Sequence, residues 1–99
     1  MTTRHVVLYE SADDVLQRAP DFMADHTAHY EAYAAAGLLL GIGTFEDPTA
    51  NGAMAVFTSR AAAEEFAAGD PFVVNGLVVS YRVLAWDDVL AREERTRHA

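Results

Sequence analysis

The chain contains no cysteine. Disulfides, thiolate-bound metals and cysteine nucleophiles are therefore excluded, while the compartment stays open. Basic residues are scarce: Lys and Arg number 7 against 15 Asp and Glu, a formal charge of −8 at pH 7. A chain of that sign repels phosphate backbones, and no basic patch forms, so nucleic acid is not an expected partner. Long apolar runs are missing. Nothing approaches the roughly 20 residues that span a bilayer, so no membrane association is expected. The opening MTTRHVVLYE passes directly into strand-like sequence without the zones of a secretory signal, which makes the cytoplasm the expected location. Phosphate-cradling glycine loops are absent. GIG at 41–43 is too short for a dinucleotide fingerprint and lies in a strand-like run instead of opening a helix. No serine sits in a nucleophile elbow.

What is present fits one domain of 99 residues. Hydrophobic residues make up 52% of the chain, more than a core of this size readily hides, so part of the apolar surface is expected to meet a partner chain. HVVLYE at 5–10 reads as a buried strand. Ser11 can cap a helical turn through Arg18 that Pro20 interrupts. From Pro20 to Ala36 the pattern is helical, with Phe22, His26, Tyr30 and Tyr33 on one broad face and Gly37 as the stop. LLLGIGTF at 38–45 returns to strand, and Gly41 and Gly43 leave one of its sides bare. EDPTANG is a turn-rich connection, AMAVFT at 53–58 a strand, and Ser59 caps a helix that ends at Gly69. Asp70 before Pro71 is a cap followed by a first helical position. A last strand spans about 77–86, and the charged tail 87–99 is expected to be a frayed helix or disordered.

The order strand, helix, strand, strand, helix, strand predicts an α+β fold: a ferredoxin-like βαββαβ plait with an antiparallel sheet over residues 1–86. The last strand is apolar on both sides, with Val79, Tyr81 and Val83 on one and Val78, Leu84 and Trp86 on the other. Two helices cover one face only. The other is expected to pair with a second copy of the chain, back to back, as a homodimer or higher homo-oligomer.

Chemistry has few candidates. His26 lies on the inward-looking helix face and is either a packed histidine satisfied by a carbonyl or an acid/base group. His29 is expected in solvent. The pair is spaced i, i+3 without a third ligand, which gives no zinc motif, and no metal is expected. Asp70 is a cap whose carboxylate could also orient an imidazole. Glu64 and Glu65 read as solvated helix surface, and Tyr9, Tyr81 and Trp86 as core or interface aromatics, with a tyrosine hydroxyl able to line a pocket.

Three stretches, HVVLYE, DHTAHYEAYAAAGLLLGIGTFED and AAAEEFAAGDPFVVNGLVVSYRVLAW, together resemble the YCII-related (YciI-like) family. The marks are a histidine eleven residues ahead of the helix-ending glycine, here His26 and Gly37, the DPF triplet at Asp70, Pro71 and Phe72, and the Tyr81 to Trp86 pattern. The resemblance implies a dimeric α/β-barrel and an active site built on a histidine and an aspartate, which map onto His26 and Asp70. It moves the reading of His26 from packing to function. One related group resembles a dehydrochlorinase acting on a chlorinated hydroxyquinol. Two departures stand against carrying that activity over: Leu38 follows the glycine where the family often has a basic residue, and Met23, Ala24 and Asp25 stand where many members have an arginine. The expected protein is thus a cofactor-independent enzyme of lyase or isomerase type with a small-molecule substrate. His26 and Asp70 would be catalytic, and Tyr9, Tyr30 and Phe72 would contact substrate. A metabolite-binding or accessory module without turnover, and a purely structural dimer, are the alternatives.

Overall fold

Residues 1–91 are described in the computed structural model of the chain. Thr2–Ser11 (β1), Leu39–Thr44 (β2), Ala53–Phe57 (β3) and Val78–Asp88 (β4) form one antiparallel sheet in the order β2-β3-β1-β4. Helices Val15–Ala35 (α1) and Arg60–Gly69 (α3) make the two crossovers, which gives the ferredoxin-like plait. Single helical turns, Pro48–Asn51 (α2) and Pro71–Val74 (α4), interrupt the loops ahead of β3 and β4. The expected tail of 87–99 falls largely on 92–99, outside the described residues.

Register decides which side chains the helices cover. His5, Val7 and Tyr9 of β1 pair with Phe57, Ala55 and Ala53 of β3, and with Ala85, Val83 and Tyr81 of β4. Val7, Tyr9, Leu39, Ala55 and Phe57 form the core with Ala62, Ala63, Phe66 and Ala67 of α3. Alanines at the helix contact let α3 lie close to the sheet, so that Phe66 fills the gap against Phe57, ring centroids 5.1 Å apart. Burying a phenylalanine of this kind contributes about 1.5–3 kcal/mol. The opposite face carries Val6, Leu8, Met54, Val56, Leu84 and Trp86, with the bare backbone of Gly41 and Gly43 beside them. Among the described residues no helix covers it, and Leu84 and Trp86 are 41% and 50% exposed.

Helix ends follow the local chemistry in most places. Ser59 accepts the Ala62 N–H at 3.1 Å and starts α3. Gly37 takes φ 78° after α1, and the N–H groups of Gly37 and Leu38 return to the carbonyls of Ala34 and Tyr33, which closes the helix. Pro20 does not break the chain as expected. α1 runs continuously from Val15, five residues earlier, with no side-chain cap at Asp14. Pro20 is exposed, so water can take up the carbonyl that loses its donor. Val15, Ala19 and Phe22, at least partly buried, carry the inward stripe of α1 past it. Gly69 is likewise not a left-handed stop but the last helical residue of α3. Asp70 is the extended residue between α3 and α4.

Gly52 opens β3 at φ 75°, ψ −148°, a region only glycine occupies freely, and a Cβ there would collide with the Tyr9 carbonyl. Gly52→Ala should therefore cost at least about 2 kcal/mol in a denaturant titration. Gly43→Ala meets nothing within 4 Å and should leave the fold's stability within about 0.5 kcal/mol.

Candidate active site

The centre of α1 and the junction between α3 and α4 bring together two side chains 44 residues apart in sequence. His26 Nδ1 lies 2.9 Å from Asp70 Oδ1. The same oxygen accepts the Phe72 N–H at 2.9 Å, the bond that caps α4. Asp70 is 2% exposed, a buried carboxylate that stays favourable because each N–H reaching it offsets lost hydration. A charge-assisted hydrogen bond in such a place is worth about 1.5–3 kcal/mol. The His26 ring stacks on Phe72, centroids 4.0 Å apart and planes 8° from parallel, while Tyr30 meets it edge-on at 5.3 Å. Three contacts thus fix the ring. With Nδ1–H donating to Asp70, the proton-free nitrogen is Nε2, which makes no hydrogen bond among the described residues and is not buried.

His26, Asp70 and Phe72 line a cavity of about 260 Å³. Its other walls come from the first half of α1 (Val15, Leu16, Ala19, Met23), from β2 (Ile42, Gly43, Thr44), and from Tyr9, Ser11, Pro48, Ala53 and Val78. Of the site residues expected from sequence, His26, Asp70, Tyr9 and Phe72 all reach this cavity. Tyr30 does not; it packs against the far side of the imidazole. A larger hollow of about 440 Å³ touches Leu8, Glu10, Phe45 and Arg82 and holds neither member of the His–Asp pair.

His29 is the residue that behaves as the packed histidine. It is half-buried, not solvated as expected, and its Nε2 lies 2.9 Å from the Phe66 carbonyl. Gly69 leaves room for it, since a Cβ there would stand 3.3 Å from the ring. Met23, Ile42, Thr44 and Pro48 were not foreseen in the site. The walls from Val15 to Ala19 follow from a helix that sequence reasoning had broken at Pro20, and Pro48 from a helical turn read as a plain connection.

Tyr9 is 8% exposed, and its hydroxyl is buried without a hydrogen-bond partner. Burial pushes the phenol well above its ordinary range, and the negative charge of Asp70 and then Tyr81 add to the effect. Tyr33 is pushed up to about 12 by desolvation and then by Glu65, whose carboxylate accepts its O–H at 2.6 Å. Glu65 lies exposed on the helix surface, as expected, and accepts that bond there.

A plait with an acid–imidazole pair on a small cavity defines a class, and comparison with known proteins narrows it. The YCII-related domain model matches residues 3–87, and the chain belongs to that family. Among solved structures it is similar to the 5-chloro-2-hydroxyhydroquinone dehydrochlorinase of Burkholderia phenoliruptrix in complex with 2,5-dihydroxybenzoquinone. The TM-score is 0.67 at 22% identity, over 85% of this chain and 93% of that one. That likeness supports the fold. No curated protein matches. No helix among the described residues is long and apolar enough to cross a membrane.

The phenols give a pH dependence of stability. Both hold their protons more tightly when folded, so the unfolded chain releases more protons as the solution turns alkaline. Their contribution is complete below about pH 10 and is lost as pH rises toward 12 and beyond. Denaturant titrations across that window should show falling stability, and Tyr33→Phe should make the fall shallower.

Proposed function

We propose that the protein is a cofactor-independent enzyme that moves a proton on a small molecule, a lyase or isomerase, with His26 as the acid/base group and Asp70 as its orienting partner. The observation that carries this reading is the 2.9 Å contact between them at the wall of a cavity large enough for a small ligand. Asp70 holds the Nδ1–H tautomer, Nε2 takes a proton from the substrate, and the carboxylate balances the charge that forms on the ring. Among the described residues no serine or threonine hydroxyl is hydrogen-bonded to the pair, which favours elimination or isomerisation over group transfer. The similar structure is named a dehydrochlorinase, and elimination fits the same arrangement. Its own substrate is not carried over, because this chain has Leu38 and Met23 to Asp25 where the family resemblance implies basic residues.

The test is turnover of a substrate identified by screening. His26→Ala should lower kcat by about 10²–10⁴-fold. Asp70→Asn should lower kcat and move the pH–rate inflection while leaving a folded protein. Full activity in His26→Ala would overturn the assignment. Ligand binding with no turnover, and no inflection to move, would point to the metabolite-binding module instead.

The same reading includes a homodimer or higher homo-oligomer, located in the cytoplasm, its folded unit the domain expected over residues 1–86, with β4 running on to Asp88. The apolar outer face of the sheet, with Gly41 and Gly43 leaving it flat, supports two sheets packed back to back. Leu84→Glu puts a charge in the middle of that face and should give a folded monomer by sedimentation; an unchanged oligomer would place the contact elsewhere.

A further inference from the structure

Resting on the reading of the His26 cavity as a ligand site, we infer the class of molecule it takes: an uncharged compound of about one ring's bulk, apolar in body, with one acceptor oxygen that receives the Tyr9 O–H. Three observations converge. The first is size. A dry cavity of about 150 Å³ holds a benzene ring, and this one, about 260 Å³, has room for a ring with a few substituents. The stacked His26 and Phe72 rings both contribute to its wall.

The second is charge. Among the described residues no Arg or Lys lines the cavity. Arg18, on the same helix, is tied to the carbonyls of Asn75 and Gly76 instead. The described chain ends at Ala91 beside Thr2, at the opposite end of β1 from Tyr9. Among the described lining residues His26 alone can carry positive charge, and its ring is already paired with the buried Asp70 carboxylate, so a carboxylate or phosphate entering the cavity would lose its hydration beside a like charge, a large penalty in a low-dielectric site. A neutral oxygen carries no such cost.

The third is the Tyr9 hydroxyl. It is buried and unpartnered, on a side chain that lines the cavity. A buried hydroxyl without a partner costs free energy in the empty protein, and a ligand oxygen removes that cost. Tyr9 is fixed as a donor, because burial and Asp70 keep its proton on at any physiological pH. The hydroxyl is shielded from water in the ligand-free chain, so binding includes a small swing of the phenol toward the cavity. Tyr9 is then a specificity-determining group: it selects an acceptor oxygen, while the buried Asp70 charge disfavours an anion.

Three probes of similar size separate these claims: acetophenone (ring and carbonyl), benzoate (ring and carboxylate) and ethylbenzene (ring alone), each titrated calorimetrically into the protein and into Tyr9→Phe. Acetophenone should bind at least about tenfold more tightly than benzoate. Tyr9→Phe should weaken acetophenone by about 5–10-fold, the worth of one hydrogen bond, and leave ethylbenzene unchanged. The variant should also melt no lower than the parent, since it discards an unsatisfied hydroxyl. Benzoate binding as tightly as acetophenone overturns the charge selection. An unchanged acetophenone affinity in Tyr9→Phe, or a lower melting temperature for that variant, overturns the role given to the hydroxyl. Failure of all three probes to bind overturns the substrate class. None of these readouts needs turnover, so they stand apart from the kinetic test of His26.

Discussion

One oxygen atom organises this molecule's chemistry. Oδ1 of Asp70 receives the backbone N–H of Phe72 and the ring N–H of His26, each at 2.9 Å. The first bond starts a helical turn; the second reaches across to another helix. Because both end on one buried atom, the direction of the imidazole depends on the backbone path between α3 and α4, and that path depends on the cap. The stacked Phe72 ring comes from the same turn. A feature that a purely local analysis assigns to helix capping is, in three dimensions, the reference point from which the candidate site is built.

Residues with a local chemical signature were legible from the sequence. The βαββαβ order could be read, and so could the caps at Ser59 and Asp70 and the stop at Gly37, because capping needs only neighbours along the chain. His26 and Asp70 could be paired through the resemblance carried by the DPF triplet, not through periodicity. What stayed hidden was tertiary. Pro20 looks like a break, yet it falls on the exposed side of a helix whose inward residues are at least partly buried. His29 looks solvated until α3 arrives with a carbonyl at the right place. Gly69 resembles a stop, but its lack of a side chain matters because a histidine from α1 sits against it.

The sheet separates two kinds of apolar surface. Toward the helices, alanines and phenylalanines interlock into a core that leaves a cavity beside the His–Asp pair. On the opposite side, Leu84 and Trp86 stay substantially exposed and two glycines remove relief. Excess apolar composition in so short a chain is accounted for by the second surface, since the first is already full. The backbone of β1 serves both: Tyr9 looks into the cavity and Leu8 away from it.

Pro20 also has a consequence for how tightly α1 is held along its length. Ahead of it the helix has no side-chain cap and forfeits one rung of its ladder; its other end is closed by the N–H groups of Ala36, Gly37 and Leu38. Local opening of a helix begins where such bonds are fewest. That stretch holds Val15, Leu16 and Ala19, which wall the cavity, and tertiary contacts make up for the missing rung: Val15 is buried and Arg18 reaches the carbonyls of Asn75 and Gly76. The short backbone segment from Asp70 to Gly76 thus serves both sides of the cavity: its start orients the imidazole, and its end holds, through Arg18, the half of α1 that faces it.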